Sequence, residues 1–314
     1  MRIAIYGVGG VGGYFGGRLA EAGEDVVFIA RGEHLAAMRR DGLRIVSPAG
    51  DLVLDPVAVS DNPADAGVVD AVIVGVKAWQ LREAGVAIRP MIGPETVVVP
   101  LQNGIDAADV LAQALGDGCV LGGTCGISAA IERPGCIRHA AVAPYIQFAP
   151  MQAGAPVPVN AEALRAAFDR ARAVTAEIPA DIQAALWQKF LGVAPAGAIG
   201  AITRAPMGLL YQDLRCRALV DQIKDEIHAV GQTLGVHWAP DAIERVSAVH
   251  ATVPFSTTAS MQRDIMDGRP SELDAQIGAL IRLGEKLGVP TPVSRFVYDC
   301  LMPQEQRARG QIEF

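Results

Sequence analysis

Apolar and polar residues alternate in short blocks along the first half of the chain. Runs that are apolar and rich in β-branched residues end in glycine or a polar residue, and segments with helical periodicity lie between them. The runs are residues 2–7, 25–31, 70–77 and 95–104, and the helical segments are 12–23, 32–42 and 78–85. This alternation predicts a parallel sheet built from strand–helix–strand units.

The hydrophobic pattern changes in the second half. From about residue 181 the strand-like runs disappear, and helical periodicity is seen at 181–203, 214–235, 241–250, 272–288 and 292–301. The intervening region predicts strands at 136–140 and 145–150, at the edge of a mixed sheet, and a helix at 160–172. We therefore expect an α/β domain at residues 1–180 and an all-α domain at 181–314.

Composition narrows the class of protein. The chain has 314 residues, of which 51% are hydrophobic and 19% charged, with a net charge of −7. An acidic surface repels nucleic acid and anionic membranes, so we expect neither as a partner. No run is long enough to span a membrane, and glycines interrupt the apolar N-terminus, which argues against a signal peptide. The five cysteines form no CxxC and the histidines show no metal-ligand spacing, so we expect a cytoplasmic protein without a metal.

A glycine-rich turn joins the first predicted strand to the first predicted helix. The GxGxxG motif consists of Gly7, Val8, Gly9, Gly10, Val11 and Gly12. In this position Gly7 permits a tight turn, Gly9 lets a pyrophosphate approach the backbone, and Gly12 lets helix and strand pack closely. The motif predicts a Rossmann-type dinucleotide site, with phosphates at the helix N-terminus.

The end of the second predicted strand bears on the choice of cofactor. NAD sites usually place an acidic residue there, but this strand ends at Arg31, and Glu24 and Asp25 lie at its other end. Because a guanidinium can bind a 2′-phosphate, we expect NADP(H). Lys77 and Asn103 close the next two predicted strands. They should therefore lie at the same edge of the sheet as the glycine turn.

The chain resembles the ketopantoate reductase (2-dehydropantoate 2-reductase) family over nearly its whole length. The resemblance rests on GVGGVGGYFGGRLAEAG, ARGEHLAAMRRDGL, VKAWQ, LQNGI, LWQKF and GRPSELD…LGVPTP, in this order. It implies a Rossmann-type domain, a helical domain, an active-site cleft between them, and NADPH-dependent reduction of a 2-oxo acid to a 2-hydroxy acid. The most specific reaction implied is 2-dehydropantoate to (R)-pantoate, a step of pantothenate biosynthesis.

The resemblance also implies roles for particular residues. Lys189, which precedes the uncharged stretch 190–202, would be the catalytic general acid, assisted by Glu272. Ser260 would contact the substrate, and Arg31, Lys77 and Asn103 would line the cofactor site and the cleft. A lysine ammonium near the carbonyl oxygen would stabilise the developing negative charge and donate a proton. The alternative is that Lys189 has no catalytic role and extends from its helix towards solvent.

The sequence departs from the family where substrate is bound. The family often has asparagines at the positions of Val193 and Gly197, and an asparagine where this chain has Gln276-Ile277-Gly278. The lost amides suggest a more apolar 2-oxo acid, as for the family's D-2-hydroxyacid dehydrogenases. Alternatively, Thr257, Thr258 or Gln262 could hold 2-dehydropantoate instead. The sequence is compatible with both substrates.

The sequence also bears on two other classes of NADP-binding protein and on the possibility of a homodimer. A β-hydroxyacid dehydrogenase would usually carry K-x-x-N, but Gly192 stands at that position after Lys189. A non-catalytic NADPH sensor would be free to lose Lys189 and Glu272, and both are present. The amphipathic segment 214–235 suits a core face or a homodimer face.

Overall fold

The chain folds into two compact units. The computed structural model describes the backbone of residues 1–314 and every side chain except those of 141, 142 and 251. Residues 1–102 and 107–182 form the first unit, and residues 103–106 and 183–314 form the second. The sequence placed a division near residue 180, and the assignment of 103–106 to the helical unit was not foreseen.

The first unit contains all the strands. They are β1 Arg2–Tyr6, β2 Asp25–Ile29, β3 Leu43–Val46, β4 Leu52–Leu54, β5 Val59–Ser60, β6 Ala71–Val74, β7 Val97–Pro100, β8 Gly122–Arg133, β9 Cys136–Ala149 and β10 Thr175–Glu177. The five-stranded parallel sheet has the order β5-β2-β1-β6-β7. Its helices are α1 Gly10–Glu21, α2 Gly32–Asp41, α3 Leu81–Ala87, α4 Ala107–Leu115 and α5 Val159–Arg170.

The mixed pairing that the sequence predicted occurs in a second sheet. Residues 136–140 and 145–149 are in strand conformation with mixed pairing, as predicted, but they form one long strand, β9, rather than two strands at a sheet edge. β9 pairs antiparallel with β8 and parallel with β3 and β10, in a separate sheet ordered β10-β9-β3-β4. The single long strand and its separate sheet were not predicted, because the pattern of small and β-branched residues does not say which strand is the partner.

Helix α1 lies between the two sheets, which explains its many glycines. A Cβ on Gly16 would lie 2.5 Å from Ile5 in the parallel sheet. On the opposite side, a Cβ on Gly13 or Gly17 would lie 2.8 Å or 2.4 Å from Ile137 or Ile45 of the second sheet. Only glycine fits at these contacts without displacing a neighbour.

The second unit is helical. Its helices are α6 Ile182–Thr203, α7 Met207–Gln212, α8 Leu214–Leu234, α9 Ala242–Thr252, α10 Ser260–Met266, α11 Ala279–Leu287 and α12 Pro292–Ala308, with a π-helical turn at Asp274–Gly278. The uncharged stretch of α6 is apolar because it is buried in this unit's core, together with α8 residues such as Ile223 and Ile227. Among the described residues, no helix combines the length and hydropathy that a membrane span needs.

Candidate active site

The glycine turn has the geometry of a phosphate cradle. Gly7 follows β1 with φ +97°, a left-handed conformation that favours glycine. Helix α1 begins at Gly10, and no side chain caps its first turn. The closest atom to a Cβ built on Gly9 is the Gly75 carbonyl oxygen, 3.9 Å away, so the backbone of Gly9 is open to a ligand. The uncapped N–H groups of α1 suit an anionic group at this point.

The other glycines of the motif serve packing. A Cβ on Gly10 would lie 2.2 Å from the Ala129 carbonyl oxygen in β8, and a Cβ on Gly12 would lie 2.2 Å from the Gly7 carbonyl oxygen. Contacts this short do not occur in proteins, so both positions require glycine whatever binds nearby. Val8 is buried and Val11 half-buried, which places them in the packing of the turn.

Arg31 lies where β2 ends. It precedes α2, and its side chain is exposed. Its positive charge interacts with the Tyr6 hydroxyl at the end of the neighbouring strand β1. Burial raises the pKa of Tyr6, and Arg31 opposes that rise. Arg31 and the glycine turn therefore lie at the same carboxyl edge of the parallel sheet.

Lys77 lies beyond its strand. β6 ends at Val74, so Lys77 does not close the strand as predicted but begins a short 3₁₀ turn, Ala78–Gln80. Its Nζ lies 5.8 Å from the Trp79 ring centroid, within cation–π range. The buried Gln102 side chain donates to the Val74 and Val76 carbonyl oxygens at 2.9 and 2.8 Å. These two hydrogen bonds fix the loop before Lys77. Sequence reasoning did not single out Gln102.

Asn103 belongs to the helical unit and contacts Glu272. Strand β7 ends at Pro100, so Asn103 follows the strand rather than closing it. Its Nδ2 donates to Glu272 Oε2 at 3.3 Å, and the Glu272 side chain is 5% exposed. Gly104 has φ +118°, and a Cβ there would lie 2.8 Å from the Ala275 carbonyl oxygen. The turn at Gly104 thus packs closely against the segment that carries Glu272.

A buried carboxylate anchors the residue before Glu272. Both oxygens of Glu305 in α12 accept from the Ser271 N–H at 3.1 Å, and Oε2 also accepts from the Ser271 hydroxyl at 2.5 Å. Arg309 donates to Glu305 at 2.7 Å and to the Ser271 carbonyl oxygen at 3.1 Å. These bonds fix the backbone next to Glu272. Sequence reasoning did not single out Glu305, because nothing in the sequence indicates that it would bond Ser271.

Lys189 lies in the first half of α6 and is half-buried, between the buried Trp187 and Phe190. Ser260 is the first residue of α10 and is also half-buried. The second unit therefore carries Lys189, Asn103, Ser260 and Glu272, and a hydrogen bond joins Asn103 to Glu272.

The positions that lack the expected asparagines are apolar in the structure too. A Cβ on Gly197 would lie 3.1 Å from the end of the Met261 side chain and 3.4 Å from Ala259, so a longer side chain there would require Met261 to move. Gln262 is not available to a substrate, because its amide accepts from the Ala259 N–H at 3.3 Å and donates to the Ala205 carbonyl oxygen at 2.9 Å. That candidate was wrong: Gln262 caps α10.

The described residues include no group of histidine, cysteine, aspartate and glutamate side chains that could hold a metal ion. The polar groups at hand are a lysine, a buried carboxylate, amides and a hydroxyl. Such a set can polarise a carbonyl and exchange a proton.

Both units of the chain are similar to known proteins of one family. Residues 3–153 match the family model described as ketopantoate reductase PanE/ApbA, and residues 181–305 match its C-terminal companion. A 2-dehydropantoate 2-reductase from Mesorhizobium japonicum is 29% identical, over 93% of this chain and 94% of that one.

Solved structures give the same result. A PanE/ApbA family ketopantoate reductase from Ralstonia eutropha JMP134 is 29% identical, with a TM-score of 0.88 over 98% of this chain and 100% of that one. A D-mandelate dehydrogenase solved with NADH and anilino(oxo)acetate shares the fold, with a TM-score of 0.89 over 98% of this chain and 100% of that one at 23% identity. The chain belongs to the ketopantoate reductase family, whose members are oxidoreductases that act on CH–OH groups.

Proposed function

We propose that the protein catalyses the NADPH-dependent reduction of a 2-oxo acid, and specifically of 2-dehydropantoate to (R)-pantoate. The observation that carries this proposal is the buried Glu272 carboxylate, bonded to Asn103 at 3.3 Å in the unit that also carries Lys189. A buried carboxylate with an amide donor and a lysine in one unit is suited to handling the charge of a reacting carbonyl.

Lys189, Glu272 and Asn103 have different roles in the proposed reaction. A reduced nicotinamide cofactor, held with its pyrophosphate at the glycine turn of residues 7–12, would supply the hydride for C2 of the substrate. As the carbonyl oxygen gains negative charge, the Lys189 ammonium stabilises it and donates a proton, giving the hydroxyl. Lys189 then regains a proton from solvent. Glu272 positions the ammonium or the substrate, and Asn103 fixes Glu272. General acid catalysis of this kind contributes about 10²–10⁴-fold.

The first unit fits the proposed cofactor. The open backbone at Gly9 and the uncapped start of α1 provide N–H groups for a pyrophosphate. Arg31 is exposed at the carboxyl end of β2, where the 2′-substituent of the adenine ribose is read in this fold. Since no acidic residue follows β2 before Arg31, these groups favour NADP(H) over NAD(H).

One observation favours a second substrate class. Val193 and Gly197 supply no amide where the family often has one, and Gly197 lies close to the apolar side chains of Met261 and Ala259. A family member that reduces a more apolar 2-oxo acid, of the D-2-hydroxyacid dehydrogenase type, fits this surface. A non-catalytic NADPH-binding protein is the remaining alternative.

A substrate panel distinguishes these possibilities. Purified protein would be mixed with NADPH or NADH and with 2-oxo acids that include 2-dehydropantoate and branched or aromatic acids, and nicotinamide absorbance would be followed. Turnover of 2-dehydropantoate with NADPH supports the proposal, and turnover of apolar acids alone supports the second class. Tight NADPH binding without turnover of any 2-oxo acid would overturn both.

A further inference from the structure

Gln276 is a buried polar residue that the fold does not explain. Its side chain is 0% exposed, and within the described part of the chain neither the Nε2 nor the Oε1 atom has a hydrogen-bond partner. A buried amide without partners destabilises a protein, because both its donor and its acceptor lose water without replacement. Leucine or methionine would suit a purely structural position better.

Gln276 lies one helical turn from Glu272. The Gln276 N–H donates to the Glu272 carbonyl oxygen at 3.0 Å, and side chains one turn apart lie on the same side of a helix. The residue also lies within the π-helical turn Asp274–Gly278, and such turns are frequent at functional sites. The unpartnered amide therefore belongs to the segment that presents the Asn103–Glu272 pair.

The chemistry of the amide indicates what it would bind. Nε2 donates and Oε1 accepts, and both lack partners. A carboxylate only accepts, so it would leave Oε1 unsatisfied. A hydroxyl both donates and accepts, and could bind either atom or both. The complementary ligand group is thus a neutral donor–acceptor rather than an anion.

We propose that Gln276 determines substrate specificity by hydrogen-bonding a hydroxyl of the substrate. This inference rests on the proposed reduction of a 2-oxo acid and defines its substrate class as 2-oxo acids that carry a side-chain hydroxyl, as 2-dehydropantoate does at C4. Gln276 would then supply an amide side chain that α6 lacks at Val193 and Gly197. A site built around such a bond discriminates strongly against a substrate that lacks the hydroxyl.

A matched pair of substrates isolates this bond. 2-Dehydropantoate and 3,3-dimethyl-2-oxobutanoate differ only in the C4 hydroxyl. We expect the wild-type protein to prefer 2-dehydropantoate by at least about tenfold in kcat/KM. Gln276→Leu should abolish most of that preference through the hydroxylated substrate, with kcat/KM for 3,3-dimethyl-2-oxobutanoate nearly unchanged.

Stability separates a recognition role from a structural one. Because the Gln276 amide has no partners in the fold, Gln276→Leu should leave Tm unchanged or raise it. Gln262→Leu is the matched control, since the buried Gln262 amide bonds Ala259 and Ala205. That variant should lower Tm and leave the substrate preference as it is.

The outcomes distinguish this inference from the proposed function. A lower Tm for Gln276→Leu with an unchanged substrate preference would overturn the role of Gln276 while leaving 2-oxo acid reduction intact. A wild-type preference for 3,3-dimethyl-2-oxobutanoate would do the same. Absence of turnover with every 2-oxo acid would overturn the proposed function, and this inference with it.

Discussion

Asn103 donates a hydrogen bond to Glu272 across 169 positions of sequence, at 3.3 Å. The bond gives a buried carboxylate a neutral donor, and it ties the loop after β7 to the segment that follows α10. Hydrogen bonds to charged groups contribute about 1.5–3 kcal/mol. The bond to Glu272 therefore helps to hold Asn103 in the helical unit.

Removal of this donor should impair catalysis. We expect Asn103→Leu to lower kcat/KM for the 2-oxo acid about tenfold to a hundredfold, because Glu272 loses a charge-assisted bond. Steady-state kinetics would measure the effect. Asn160→Leu is the control, since Asn160 donates to the Glu95 carbonyl oxygen in the first unit, and it should leave kcat/KM unchanged. Equal effects of the two substitutions would show that Asn103 acts on stability alone.

Glu305 should position Glu272 through Ser271. Glu305→Gln replaces an acceptor of several bonds with an amide, so we expect both Tm and kcat to fall, with the KM for NADPH unchanged. Glu226 provides a control, because it accepts from Val293 and Ser294 at the start of α12 in the same manner. Glu226→Gln should lower Tm without a specific loss of kcat. A similar loss of kcat in both variants would contradict a positioning role for Glu305.

Two neighbouring glycines should respond in opposite ways to alanine. Gly10→Ala forces a Cβ to 2.2 Å from the Ala129 carbonyl oxygen, and we expect it to lower stability by about 1–3 kcal/mol. Gly9→Ala has no protein atom closer than 3.9 Å and should leave stability nearly unchanged while weakening NADPH binding. Urea denaturation and a fluorescence titration with NADPH would measure the two effects. Undiminished NADPH affinity in Gly9→Ala would exclude close approach of the pyrophosphate there.

Arg31 should decide between NADPH and NADH. A lost charge-assisted bond costs about 1.5–3 kcal/mol, so Arg31→Ala should raise the KM for NADPH about tenfold to a hundredfold and change that for NADH little. The ratio of kcat/KM values for the two cofactors measures this directly. If both cofactors were affected equally, Arg31 would not be reading the 2′-phosphate.

His250 should make the fold sensitive to mild acid. Burial, aided by the charge of Lys224, lowers the pKa of His250 from 6.5 to about 4. Between these values the unfolded chain binds more protons than the folded one, so stability is complete above pH 6.5 and is lost as the pH falls toward 4. The loss attributable to His250 reaches roughly 3 kcal/mol. Unfolding free energies at pH 7.5 and 5 should differ less in His250→Gln than in the wild type, and an identical difference would contradict this linkage.

The sequence predicted the elements that local patterning determines. The parallel sheet, the glycine turn and the helices after residue 181 follow from apolar periodicity and turn chemistry. The second sheet was missed because pairing of β9 with β3 joins residues far apart in sequence. The roles of Gln102, Glu305 and Gln262 were also inaccessible, because an isolated polar residue in a sequence does not reveal the backbone groups that it will bond.

The most direct measurement is the turnover of the Lys189→Ala variant with NADPH and the best 2-oxo acid. Lys286→Ala, which removes an exposed lysine of the same unit, is the control. We expect kcat to fall about 10²–10⁴-fold in Lys189→Ala, with NADPH affinity and Tm close to wild type, and we expect Lys286→Ala to be fully active. Turnover by Lys189→Ala at the wild-type rate would contradict the assignment of Lys189 as the general acid.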